Sequence, residues 1–134
     1  MTRKAKILII DDEDVICKGC KQTLEKDGFE VDYAQNGIVG LAKLHDKAYD
    51  IVLIDLMMPQ IKGMDVLEAV RKYDPNIINI IITGYAIEQV VARAIEKGAY
   101  DYLAKPFSAN ELRDIIQRAL RARNNNHLQP VSEI

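Results

Sequence analysis

Three stretches of this chain, Ile7–Ile10, Ile51–Ile54 and Ile80–Ile82, contain no polar residue at all, and each is followed by a segment with apolar residues every three or four positions. A strand that is apolar on both faces must be covered on both faces, and helices connecting parallel strands supply that cover. "FEVDYA" alternates like a half-covered strand, and "AYDYLAKPF" reads as a last one. The pattern therefore predicts five β-α units. Right-handed crossovers then leave one natural solution: a doubly wound α/β sandwich, with a five-stranded parallel sheet and helices on both faces.

The helices announce their ends. "EDVICKGCKQTLEKDG" sets Ile16, Cys20 and Leu24 four apart and closes at Gly28. Asn36-Gly37 reads as a turn before the short helix "IVGLAKLHDK". "MDVLEAVRKY" stops ahead of Pro75, and "IEQVVARAIEKG" ends at Gly98. Ser108-Ala109-Asn110-Glu111 has the capping-box spacing, and Leu112, Ile115, Ile116, Ala119 and Leu120 form the apolar stripe of the helix it opens. Residues 1–123 are expected to form one domain and residues 124–134, which lack periodicity, a linker or disordered end.

With 134 residues, 49% of them hydrophobic, the chain can bury a substantial core. Its net charge of −2 gives no basic field for nucleic acid. No apolar run approaches the roughly 20 residues of a membrane span, and the N-terminus leads directly into a strand, so a cytoplasmic address is expected. Cys17 and Cys20 form a C-x-x-C, but it lies inside a helix behind a run of acids, which opposes a thiolate. Two small helix residues, at least one facing the core, are the expectation there, and a redox protein is the disfavoured alternative.

Ligands of open parallel sheets bind beyond the carboxyl ends of the strands. The strand ends here are Asp11-Asp12, Asp55, Thr83 and Lys105. Each has an ordinary explanation alone: the acids of "DDED" suit a helix start, and Lys105 suits a solvated end. Their convergence on one crevice does not. Mg²⁺, or Mn²⁺ in its stead, takes carboxylate and phosphate oxygens, so Asp11, Asp12 and Asp55 are candidate metal ligands. Lys105 and the Thr83 hydroxyl could then hold a phosphoryl group, with Asp55 as its covalent acceptor.

The motifs "ILIIDDED", "IVLIDLMMP", "IIITGYA" and "YDYLAKPF", in this order, resemble the receiver domain of two-component response regulators, over about residues 5 to 123. The resemblance implies a flavodoxin-like (βα)5 fold and a phosphoryl group taken from a phosphohistidine on a sensor histidine kinase or phosphotransfer protein. It implies Asp55 as acceptor, a metal held by Asp11, Asp12, Asp55 and the Met57 backbone carbonyl, Thr83 and Tyr102 as switch residues, and Lys105 on the phosphate. It also implies a cis Lys105-Pro106 bond. Met57 and Tyr85, two residues beyond Asp55 and Thr83, are bulky and not basic, so they are expected to obstruct a hydrolytic water and lengthen the phosphoryl lifetime. The output would be a changed surface on the fourth helix, fifth strand and fifth helix, read by a second copy or an output domain. Arg93, Glu96, Asp101, Arg113 and Arg118 are expected on that face. "AYDYLAKPF" is closer to receivers of the NtrC type, whereas Lys62-Gly63 departs from the acid many members carry before that glycine. A haloacid-dehalogenase-like phosphatase is the other alternative, but it needs a second acid where Met57 stands.

Overall fold

The structure, a computed structural model, describes residues 4–58, 61–84 and 88–124. Strands and helices alternate throughout: β1 Lys6–Ile10, α1 Asp14–Lys26, β2 Glu30–Ala34, α2 Gly37–Leu44, β3 Ile51–Asp55, α3 Gly63–Tyr73, β4 Ile78–Thr83, α4 Glu88–Glu96, β5 Asp101–Ala104 and α5 Ala109–Asn124. All strand pairings are parallel, in the order β2-β1-β3-β4-β5. This is the doubly wound arrangement of flavodoxin-like sheets.

The uninterrupted apolar runs explain why both faces are dry. Successive strand residues point to opposite sides, so Ile7 and Ile9 join Leu24, Leu53, Ile82 and Ile116 in one core, against α1 and α5. Leu8 and Ile10 join Val52, Ile54, Val66 and Ile81 in the other, against α2, α3 and α4. Cys17 and Cys20 are both buried in the first core with free thiols. The helix boundaries follow local chemistry. Gly28 (φ 92°) and Gly98 (φ 108°) take the left-handed conformation just past α1 and α4. Ser108 Oγ accepts from Glu111 N at 3.0 Å while Glu111 Oε1 accepts from Ser108 N at 2.9 Å, closing the capping box at α5.

Asn36-Gly37 is not a free turn. Asn36 is the N-cap of α2, its Oδ1 accepting from Val39 N at 2.8 Å, and Gly37 is already helical. The same residue types serve both roles, because Asn bonds backbone N–H groups in turns and caps alike. The expected C-terminal tail lies outside the described residues, except that α5 takes in Asn124.

Candidate phosphoacceptor site

β1 and β3 are neighbours in the middle of the sheet, so their ends place Asp11 and Asp55 side by side. Both are almost fully enclosed, at 0% and 2% exposure, while Asp12 points to solvent. Candidate ligand oxygens of Asp11, Asp12 and Asp55 all lie within 4.8 Å of one another. Each buried acid has one oxygen held by the backbone two residues on: Asp11 Oδ1 accepts from Glu13 N at 2.9 Å, and Asp55 Oδ1 from Met57 N at 3.0 Å. These bonds aim the second oxygens into the crevice.

The counter-charge comes from the end of β5. Lys105 Nζ stands 3.0 Å from Asp11 Oδ2 and 3.4 Å from Asp55 Oδ2, and its shortest contact, 2.5 Å, is to Glu13 Oε1. The approach to Asp11 is an ion pair without hydrogen-bond geometry, so Asp11 Oδ2 is buried with no hydrogen-bond partner. Orphaned buried oxygens call for an explanation. One next to two further carboxylates suits a hard cation with oxygen ligands, so these residues fit a divalent metal site.

Electrostatics agree. Burial raises Asp55 to about 6, Asp11's charge adding to the effect against the Met57 N–H and Lys105. Asp11 is raised as well, first by burial. Burial alone would lower Lys105, but the hydrogen bond to Glu13 and the charges of Asp11 and Asp55 outweigh it and hold the ammonium above its ordinary value. Among the described residues the pocket gathers more carboxylates than ammonium groups, so it is poised for another cation.

Thr83 is fully buried at the end of β4, opposite Ala104 of β5. Tyr102, two residues before Ala104, is 40% exposed. The Lys105-Pro106 bond is cis. Met57 is 60% exposed beside the acid pocket, whereas Tyr85 lies outside the described residues. The crevice thus unites Asp11, Asp12, Asp55 and Lys105 directly, with Thr83 at the neighbouring strand end. Glu13 was read from the sequence only as a helix-start acid, and nothing in "DDED" signals its reach to Lys105. The expected exposed face needs a correction at Asp101. Its carboxylate is buried, taking Arg118 Nη1 at 3.0 Å and Tyr102 N at 2.8 Å. Arg113 is half-buried and pairs with Asp27 at 3.0 Å.

The rival chemistries lack their groups. Burial, helped by Asp11's charge, pushes both the Cys17 and Cys20 thiols up to about 12, far from a reactive thiolate. The position two residues beyond Asp55 is Met57, with no proton for a leaving group. No helix among the described residues is long and apolar enough to cross a membrane.

Comparison with known proteins agrees with this geometry. Residues 7–117 match the response regulator receiver domain. The chain is 37% identical over 121 residues to the regulatory protein AtoC of Escherichia coli (strain K12), covering 90% of this chain and 26% of that protein. It is 32% identical over 120 residues to sporulation initiation phosphotransferase F of Bacillus subtilis (strain 168), covering 90% of this chain and 97% of the relative. The crystal structure of a CheY-like response regulator receiver domain protein from Methanospirillum hungatei JF-1 aligns with a TM-score of 0.88 at 31% identity, covering 92% of this chain and 99% of that one. The chain spans from about a quarter to just over half the length of several curated regulators it matches. By fold, by acid pocket and by sequence over most of its length, the chain belongs to the response regulator receiver domains of two-component signalling, regulatory phosphoacceptors rather than turnover enzymes.

Proposed function

We propose that Asp55 accepts a phosphoryl group from the phosphohistidine of a sensor kinase or phosphotransfer protein in the cytoplasm. The observation that carries this reading is a nearly enclosed carboxylate facing an ammonium 3.4 Å away, with two more carboxylates beside it. In the transfer an Asp55 oxygen forms a bond to phosphorus as the donor's P–N bond breaks, its electron pair leaving with the imidazole nitrogen. Asp11, Asp12 and Asp55, with the Met57 carbonyl, would hold Mg²⁺ or Mn²⁺, which when bound neutralises charge on the phosphoryl oxygens. Lys105 offsets the same charge from the other side, and Thr83 is the hydroxyl donor. The aspartyl phosphate is then read through Thr83 and Tyr102 on the α4-β5-α5 face, by a second copy or an output domain.

Acetyl phosphate with Mg²⁺ tests this directly. Intact mass should rise by one phosphoryl group in the native chain, and chelator or Asp55→Asn should abolish the gain. An Asp55→Asn protein phosphorylated at the native rate would refute the assignment.

A further inference from the structure

Glu13 makes the shortest contact in the pocket yet has no part in the proposed transfer. Its backbone occupies the N-cap of α1, where a side chain ordinarily accepts from the free N–H groups of the first turn. Glu13 makes no such bond. Its carboxylate instead crosses 92 positions of sequence to Lys105 Nζ at 2.5 Å, closer than Asp11 at 3.0 Å or Asp55 at 3.4 Å. Of the three anions on that ammonium, Glu13 alone lies outside the carboxylate triad. It alone is also largely in water, its side chain 58% exposed against 0% and 3% for the other two.

We infer that Glu13 is a tethered competitor for Lys105, a positioning residue that occupies the ammonium until an anion on Asp55 displaces it. The inference rests on the proposed phosphoryl site. An incoming phosphoryl oxygen needs the donors that Glu13 now engages. Glu13 can yield them readily, because a mostly hydrated carboxylate loses little solvation in the resting contact and regains little on release. The exchange therefore sets how tightly the pocket holds an anion. A half-exposed ion pair has modest strength, which translates into about a twofold to fivefold effect on that affinity. If Glu13 acted only as a negative charge near the anion, Glu13→Asp, which keeps that charge, would bind the anion like the native chain.

The experiment uses the full chain, beryllofluoride as the anion and saturating Mg²⁺, with dissociation constants from amide chemical shifts. Mn²⁺ affinity without the anion is measured separately. Glu13→Gln should bind beryllofluoride about twofold to fivefold tighter than the native chain, the gap narrowing as salt is added. Glu13→Asp keeps the charge but shortens the reach, and should behave like Glu13→Gln. The Lys105 Nζ resonance should differ between native and variant chains before the anion is added and coincide afterwards. Mn²⁺ should bind neither variant more tightly than the native chain. Unchanged or weaker beryllofluoride binding by Glu13→Gln would overturn the inference, as would a joint loss of anion and Mn²⁺ affinity. A native chain that takes up no beryllofluoride would instead overturn the phosphoryl reading beneath it.

Discussion

A carboxyl group enclosed as Asp55 is makes the stability of the domain depend on pH. Burial and the neighbouring Asp11 raise it to about 6, against an unfolded value of about 3.9. Between these values the folded chain keeps a proton that the unfolded chain has released. Stability present below about pH 4 is therefore lost as pH rises through about 6. Without a divalent ion the loss should approach roughly 3 kcal/mol, and Asp55→Asn should remove most of it. Urea titrations in chelator between pH 4 and 7 check this: the variant's advantage must grow with pH, and a constant gap would contradict it. Millimolar Mg²⁺ should flatten the native profile by favouring the ionised pair. Legibility at this scale was uneven. Asp11, Asp12, Asp55 and Lys105 could be picked out because strand ends mark where a doubly wound sheet binds its ligands. Glu13 could not, because its partner depends on where a side chain turns, and an acid at a helix start suits the helix dipole whichever way it points.

Among the elements, the start of α3 lies against the end of β3. Gly63 is the first residue of α3, and a Cβ there would lie 2.2 Å from the Asp55 carbonyl oxygen and 2.5 Å from Leu56 Cα. Backbone cannot swing aside as a side chain can, so Gly63→Ala should force β3 and α3 apart. A loss of at least about 2 kcal/mol is expected, with weaker Mn²⁺ binding because Asp55 moves with its carbonyl. A variant that matches the native midpoint and metal affinity would show that the contact of Gly63 with Asp55 and Leu56 has slack. The sequence contained the glycine but not its reason, which is a tertiary contact. The strands themselves were plain, since apolar runs such as Ile7–Ile10 admit only a doubly covered position. Asn36-Gly37 was misread because turn and cap share their chemistry. What distinguishes them is that Gly37 packs on Ile61 and Val66, where its missing Cβ makes room.

Across the molecule, the proposed signal must travel from the acid crevice to a face others can touch. Thr83 and Ala104 are register partners, so β4 and β5 connect the buried hydroxyl to Tyr102 within one strand pair. Beryllofluoride with Mg²⁺ should draw Thr83 toward Asp55 and let the Tyr102 ring, now 40% exposed, turn inward. A charge-assisted hydrogen bond is worth about 1.5–3 kcal/mol before costs, enough for roughly a tenfold to hundredfold shift between two states. Amide exchange should slow across residues 84 to 120, with a change in mass by sedimentation if a second copy is the reader. No change in either would leave the switch unsupported. Asp101 will not be part of the exposed lettering of this face, because Arg118 and the Tyr102 N–H hold its carboxylate in place.

The ammonium that balances the pocket is also the last of its charged parts to be synthesised. Asp11, Asp12 and Asp55 lie in the first half of the chain, and Lys105 follows β5, beyond all five strands. Domains are made from the N-terminus at about 5–20 residues per second. A nascent chain therefore spends several seconds with the acids translated and their lysine still missing. Like charges crowded at a dry edge repel, so β1 and β3 should settle fully beside each other only once β5 arrives. An incomplete chain would then neither close this edge of the sheet nor present a usable acceptor, and competence to signal would double as a certificate that translation had passed Lys105.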